Sequence, residues 1–200
     1  SMQTLVLLAV ALAGAFALLL AVVAGLWLMY RASGGDITGA AISANLAGGN
    51  ITLSSNDGAT SGNGDIFVND AITWSADTTL TLDAVRNIEI NADIAASGGS
   101  AGLALTYGGD YSFRGGTVNL SGTSASLDIN GTAYTLIHDV NDLQAISGAG
   151  NYALAENIDA TGTVSWNAGA GWATIGGCSG ILAGLGNKID GLTVNRPGEA

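Results

Sequence analysis

The residues of this chain that could perform acid–base chemistry are few and poorly grouped. His138 is the single histidine, and Asp139 beside it could in principle orient it as a general base. Adjacent residues on a strand point to opposite faces, so this pair is badly placed for that role. We therefore predict a structural or surface role for His138. With one histidine and one cysteine, the chain cannot build a metal site from several ligands of those types.

Carboxylates offer a second route to catalysis, because some polysaccharide lyases and hydrolases present acids from one face of a β-helix. By charge alone, the candidates are Asp65, Asp83, Glu89 and Asp93. Lyases of this kind also need a cation beside the acids, yet residues 35–185 contain only Arg86 and Arg114. We predict that the protein is not an enzyme and has no catalytic residue, cofactor or metal. A polysaccharide lyase or hydrolase is the alternative.

The charge balance limits the partners. Sixteen acidic and five basic residues give a formal charge of −11, which repels phosphate backbones, so nucleic acid is excluded. Asn, Thr, Ser and Asp supply most of the polarity, and such a surface could bind carbohydrate or protein. Cys178 lies among Ile, Leu and Gly and is predicted to be a small buried residue.

Apolar residues alternate in short bursts along the middle of the chain, which is the pattern of strands with one buried face. Ile66 and Ile88 begin two such bursts 22 residues apart, a length that suits one coil of a solenoid. The sequence predicts an all-β fold, a right-handed parallel β-helix, with an antiparallel sandwich of hairpins as the alternative. The predicted inward-facing residues are Ile51, Ile66, Val68, Leu80, Leu82, Ile88, Ile90, Val118, Leu127 and Ile129.

A long apolar segment precedes these strands. Residues 5–30 carry no charge, and as a helix they would extend about 39 Å, enough to cross a bilayer. We predict one long apolar amino-terminal helix that contacts the membrane, either as a transmembrane or signal anchor or as a removed signal. Small residues spaced by four form a stripe through which such helices could self-associate, unless the spacing arises by chance: Ala9, Ala13, Ala17, Ala21 and Gly25.

Four regions follow from these patterns. Residues 1–33 form the apolar helix, and residues 34–46 form a linker or cap. Residues 47–137 contain the β-helix repeats, and residues 138–200 form an extension of different character.

Several runs in the carboxy-terminal third resemble one family. Residues 130–137, 151–160, 166–167 and 184–194 resemble filamentous-haemagglutinin-type bacterial surface adhesins, the passengers of two-partner secretion, that carry a GLUG repeat. The resemblance implies a β-helix and a structural motif made of Trp166, Asn167, Gly184, Leu185, Gly186, Asn187 and Gly191. The chain departs from the family at residues 171–176 and 178–184, and it lacks the family's Asn-Pro-Asn secretion motifs.

These observations lead to one functional prediction. The chain is expected to be a fragment of a surface-displayed adhesin passenger that presents a β-helical rod to glycans or proteins on host or neighbouring cells. It would lie on the bacterial cell surface or be secreted, and it would be membrane-anchored if the apolar helix is retained. GLUG units also occur beside surface peptidases, so a piece of such a peptidase is a further alternative. That piece would be non-catalytic, because the His-Glu-x-x-His zinc motif is missing.

Overall fold

The computed structural model describes residues 37–56, 62–173, 175–177 and 179–195. Helix α1 is Gly39–Leu46, helix α2 is Val140–Ala145, and a kinked 3-10 segment is Thr161–Gly169. The strands are β1 (Ile51–Ser54), β2 (Ile66–Val68), β3 (Ile72–Trp74), β4 (Thr79–Ala84), β5 (Ile88–Ile90), β6 (Ile94–Ala96), β7 (Gly102–Tyr107), β8 (Tyr111–Phe113), β9 (Val118–Leu120), β10 (Ser126–Ile129), β11 (Thr132–Ile137), β12 (Asn151–Leu154), β13 (Ile158–Asp159), β14 (Ile181–Ala183) and β15 (Ile189–Asp190).

Among the first ten strands all pairings are parallel, and each strand from β1 to β7 pairs with the strand three places later in the chain. This pairing gives the orders β1-β4-β7-β10, β2-β5-β8 and β3-β6-β9. Apolar residues recur in register, so Ile51, Leu80 and Leu103 line up across three strands, each at most 2% exposed. Nine of the ten residues predicted to face inward are buried, and Ile66 is partly buried.

The chain reverses after β10, and this reversal overturns the predicted fold class. Strands β10 and β11 are antiparallel and are joined by Asn130 and Gly131, whose φ angles are 51° and 76°. Positive φ at both central residues is typical of the type I′ hairpin turn that Asn-Gly favours. The largest sheet is therefore mixed, in the order β1-β4-β7-β10-β11-β12-β14. The predicted fold class, a right-handed parallel β-helix, is wrong for the described residues.

Beyond the reversal, the chain builds a second, smaller core. Buried residues from β11, α2 and the residue after it, β12, β13 and the segment after the 3-10 turns pack together: Ile137, Leu143, Ile146, Leu154, Ile158 and Trp172. Asp139 caps α2 by accepting hydrogen bonds from the backbone N–H groups of Asn141 and Asp142. Such a cap satisfies donors that the first helical turn leaves free, so α2 forms although it has only six residues.

Helix α1 covers part of the opposite end of the molecule. Ile42 and Leu46 are buried, and the Ser43 hydroxyl accepts a hydrogen bond from the backbone of Thr73 in β3. No helix within the described residues is both long and apolar enough to cross a membrane. The predicted helix over residues 5–30, with its stripe of Ala9, Ala13, Ala17, Ala21 and Gly25, lies outside the described residues.

Candidate binding surface

The predicted motif at residues 184–187 forms a tight turn against the first core. Leu185 is 2% exposed and has a φ of 54°, and its carbonyl accepts a 2.9 Å hydrogen bond from the backbone N–H of Val118 in β9. Gly186 has a φ of 79°, and a Cβ there would lie 2.6 Å from the carbonyl oxygen of Gly116. Only glycine fits this close approach without a shift of the backbone.

Asn187 connects the two halves of the structure. Its side-chain Nδ2 donates to the carbonyl of Val118 at 2.7 Å and to the carbonyl of Leu154 at 3.3 Å. Val118 belongs to the first core and Leu154 to the second. The Oδ1 atom of Asn187 is buried and has no hydrogen-bond partner among the described residues. Asn187 is therefore a structural bridge between the cores.

The other predicted motif residues lie in the second half. Trp166 stacks on Trp172, with ring centroids 6.1 Å apart and an interplanar angle of 12°. Asn167 has a φ of 53° and donates from Nδ2 to the carbonyl of Gly171 at 2.8 Å. Gly184 precedes the tight turn, and Gly191 has a φ of 71° and packs against Thr161. The motif residues thus support two different cores, and the turn at 184–187 lies beside the first of them.

The candidate acids take part in bonds between strands. Asp65 accepts from Nε of Arg86 at 3.1 Å, and this hydrogen bond holds the pKa of Asp65 below its usual value. Glu89 pairs with Nε of Arg114 at 3.1 Å. Asp93 accepts two hydrogen bonds from Thr117, of 2.8 and 2.9 Å.

Asp83, the fourth candidate, lies in register between Ser54 and Thr106. The described residues contain no group of three or more His, Cys, Asp or Glu side chains that could hold a metal ion.

Among the described residues, no hydrogen bond joins the side chains of His138 and Asp139. The carboxylate of Asp139 accepts the capping hydrogen bonds of α2, and these bonds from the backbone lower the pKa of Asp139. The charge of His138 makes a minor contribution to lowering the pKa of Asp139. The backbone N–H of His138 donates to Asp142 at 3.0 Å. Cys178 lies outside the described residues.

Sequence reasoning missed a group of four aromatic residues, which we name the aromatic cluster: Tyr107, Tyr111, Phe113 and Tyr134. The rings of Tyr107 and Tyr111 are 5.5 Å apart, and those of Tyr111 and Phe113 are 5.9 Å apart, edge to face. All four side chains are partly exposed and pack against the end of the first core. The alternation of Tyr111 and Phe113 was visible in the sequence. Tyr134 lies beside them only because the chain reverses after β10, and this position could not be read from the alternation.

The topology explains why the aromatic cluster is open to solvent. Strand β8 is the last strand of its sheet, since the chain turns back after β10 and supplies no fourth member. Ser112 and Arg114 bond to β5, so the backbone carbonyls of Tyr111 and Phe113 face away from that neighbour. Large rings therefore cover the end of a core that elsewhere is covered by the next strand.

Close packing and hydrogen bonds fix the backbone that carries the rings of Tyr107 and Tyr111. Gly109 lies so close to Arg86 and Asn87 that a Cβ there would overlap with both, which draws the turn between β7 and β8 inward. The side-chain oxygen of Asn130 accepts a 2.9 Å hydrogen bond from the backbone of Tyr107. Asp110 accepts one of 2.8 Å from the backbone of Tyr111.

The tyrosine hydroxyls of the aromatic cluster are free to bind a ligand. Among the described residues, no hydrogen bond engages the hydroxyl of Tyr107, Tyr111 or Tyr134, whereas that of Tyr152 donates to Ser147 at 2.7 Å. Burial, the largest cause, raises the pKa of Tyr107 and of Tyr111, and the nearby charge of Asp110 adds to both shifts. The hydroxyls of Tyr107 and Tyr111 therefore stay protonated and can donate at neutral pH.

Comparisons with known proteins give one similarity. No family model matches the sequence, and no solved structure matches it. Halomucin from Haloquadratum walsbyi is 45% identical over 78 residues, a match that covers 34% of this chain and 1% of Halomucin. The chain thus spans about 1% of the length of the curated relative that it matches. The similarity indicates a surface or secreted protein. Membership of the adhesin family with its GLUG repeat stays a prediction.

Proposed function

We propose that this chain is a non-catalytic binding domain of a surface or secreted protein, and that the aromatic cluster binds a neutral glycan. The observation that carries the proposal is the joint presence of partly exposed ring surface and three unpaired tyrosine hydroxyls, contributed by β7, β8 and β11, where the sheet of β8 ends. Tyrosine combines an apolar ring with a polar tip, so it can contact both the C–H groups and the hydroxyls of a sugar.

Charge selects the class of glycan. The chain has a formal charge of −11, and Asp110 lies beside the rings without an ion pair among the described residues. Sulfated sugars and uronic acids would be repelled, whereas neutral hexoses would not. Their hydroxyls could also donate to the outward carbonyls of β8 and to Asp110.

The absence of turnover rests on how the acids are used. Asp65, Glu89 and Asp93 each bond to a neighbouring strand. The catalytic alternative would need acids and a cation that are free to act on a substrate in one space. Asp65 does line a cavity, but its carboxylate is held by Arg86 and Asn87. We therefore propose an adhesive role, and the resemblance of residues 184–194 to GLUG-type adhesins supports it. Within that role, the chain would be displayed on a bacterial surface, and residues 5–30 would anchor it if retained.

Two variants of Tyr111 test the proposal. Calorimetric titration with neutral oligosaccharides chosen from a glycan array should show a tenfold or greater loss of affinity for Tyr111→Ala. Tyr111→Phe keeps the ring and should lose about threefold, because one hydrogen bond contributes about 0.5–1.5 kcal/mol. Phe67→Ala, which removes a 55% exposed aromatic at the far end of the same sheet, should bind normally.

Other results would contradict the proposal. One is Tyr111→Ala binding with unchanged affinity, and another is a preference for acidic over neutral sugars. Release of unsaturated products from an acidic polysaccharide, lost on Asp→Asn substitution, would restore the lyase alternative.

A further inference from the structure

The amino-terminal end of the sheets contains a cavity with a mixed polar and apolar lining, which we name the head groove. It has a volume of about 360 Å³. Its apolar lining includes Ile42, Leu53, Ile66, Val68 and Leu82, and its polar lining includes Ser54, Asp65, Asn69 and Asp70. The volume lies within the range of ligand pockets, about 300–1,000 Å³. Helix α1 packs mainly on β3 and leaves the edge of β2 open.

The edge of β2 offers free backbone groups to this cavity. The backbone N–H of Ile66 donates to Asn87, and the carbonyl of Val68 accepts from Asn91, so both residues bond to the β5 side. In a parallel ladder the residue between them points its N–H and C=O the other way. Those of Phe67 have no hydrogen-bond partner among the described residues.

The opposite end of the molecule carries a matching projection, which we name the tail. It consists of β14 and the residues near β15, and its exposed apolar side chains are Ile181 (57%), Leu182 (45%), Leu192 (41%) and Val194 (56%). The backbone N–H of Ile181 donates to Gly150, so the N–H and C=O of Leu182 face outward from the last strand of the seven-stranded sheet.

Charge favours contact between unlike ends. Asp65 and Asp70 lie at the head groove. Asp65 is paired with Arg86, whereas Asp70 has no ion pair among the described residues, so the groove carries one unpaired negative charge. Residues 179–195 carry one cation, Lys188, and one acid, Asp190, so the tail is neutral. Two heads would repel each other, whereas a head and a tail would not.

We propose that the occupant of the head groove is the tail of a second copy of this chain. Strand β14 of one copy lies along the edge of β2 of the next, and the outward groups of Leu182 pair with those of Phe67. Exposed apolar side chains of the tail leave water and enter the groove. This inference stands independently of glycan binding, because it uses neither Tyr111 nor the rings near it.

The position of the two surfaces determines the assembly. Strands β1 and β14 are the two edges of the seven-stranded sheet, and six spacings of about 4.8 Å put about 29 Å between them. A contact between different surfaces at opposite ends is heterologous, and it adds copies in a row when the rotation between successive copies does not close a ring. A row of copies would carry several aromatic clusters and would extend them farther from the cell surface.

Salt should strengthen this contact. Each copy carries a formal charge of −11, and the Debye length falls from about 10 Å at 0.1 M to about 3 Å at 1 M salt. Sedimentation of the full chain should therefore show oligomers that grow with protein concentration and with NaCl. A mild detergent in all samples shields residues 5–30, so that contacts of that apolar segment do not contribute.

Two proline variants separate head from tail. Phe67→Pro and Leu182→Pro each remove one outward N–H from an edge strand, where proline is tolerated. Each variant alone should be blocked at one end and sediment as a monomer. An equimolar mixture should give a dimer and nothing larger, because only one productive contact is left. Phe67→Ala and Leu182→Thr keep the N–H and serve as matched controls that should still form oligomers.

The outcomes are decisive in either direction. A dimer in the mixture, with monomers in each variant alone, supports the proposal. Wild-type chain that stays monomeric at 1 M NaCl overturns it, as do oligomers that both proline variants form as readily as the wild type. Circular dichroism of each variant must match the wild type, and a variant that fails this check is replaced by Phe67→Asp or Leu182→Asp.

Discussion

Replacement of Asn187 should uncouple the two cores. Its Nδ2 supplies hydrogen bonds of 2.7 Å to Val118 and 3.3 Å to Leu154, and the second is long. A net contribution of about 0.5–1.5 kcal/mol per bond gives a loss of about 2 kcal/mol for Asn187→Ala, including the carbonyls that it leaves unpaired. Asn187→Asp should cost more, about 3 kcal/mol or above, because it places a carboxylate against two carbonyl oxygens.

The pH dependence of Asn187→Asp gives a second readout. The charged form of the new carboxyl is disfavoured in the folded state, so its folded pKa lies above the unfolded value of about 3.9. The destabilisation is therefore smallest below that value and grows as the pH rises through the folded pKa. Asn187→Ala should show no such added dependence.

Urea unfolding followed by circular dichroism measures these losses, and hydrogen exchange locates them. Faster exchange is expected at the amide of Val118, which donates to Leu185 in the adjoining turn. Asn91→Ala is a matched control, since Asn91 makes its 2.7 Å side-chain bond to Asn69 at the exposed end of β5, and it should cost under about 0.5 kcal/mol. If Asn187→Ala unfolds at the wild-type urea midpoint, the bridge between the cores is not real.

Four further substitutions test three separate parts of the structure. Leu103→Ala, at a side chain 1% exposed, should lower the free energy of unfolding in urea by about 3–4 kcal/mol, and a loss below about 1 kcal/mol would contradict the in-register core. Gly131 and Gly186 both have a positive φ, but only Gly186 is crowded by neighbouring atoms. Gly131→Ala should therefore cost about 1–2 kcal/mol in thermal unfolding, and Gly186→Ala should cost clearly more. Equal costs would refute the close approach at Gly186. Asp65 has a lowered pKa, so its stabilising effect is present above the unfolded value of about 3.9 and is lost as the pH falls through the folded pKa. Asp65→Asn should therefore flatten the acid limb of stability against pH, and an unchanged limb would assign that limb to other groups.

Much of the first half of the fold was predictable because it repeats. The 22-residue separation of Ile66 and Ile88 is the register in which β2 and β5 pair, and alternation at period two identified the buried positions. Both patterns follow from local geometry, since a strand alternates its faces and a layered fold places equivalent residues one above another.

The sequence contains the signal for the reversal after β10, but the prediction of a parallel β-helix did not take it into account. Asn130-Gly131 is a strong hairpin signal, and it stands among strands that otherwise pair in parallel. Periodicity alone cannot show where a repeat stops, because the residues before and after the turn alternate in the same way. The mixed sheet depends on that single turn.

The candidate site was beyond prediction for a different reason. Tyr107 and Tyr134 lie 27 positions apart in the sequence, and the side chain of Asn187 reaches Val118 across 69 residues. Such contacts exist only after the register of β11 and the path of the last turn are set. Composition could suggest a sugar-binding surface, but it could not say which rings would share it.

Under the proposed function, the aromatic cluster binds neutral glycans and does not change them chemically. The most direct test is NMR of protein carrying labelled tyrosine, titrated with a neutral oligosaccharide. Ring signals of Tyr107, Tyr111 and Tyr134 should shift together and saturate, while that of Tyr152 stays in place and the sugar spectrum remains that of intact ligand. Shifts confined to Tyr152, or cleavage of the sugar, would contradict the account.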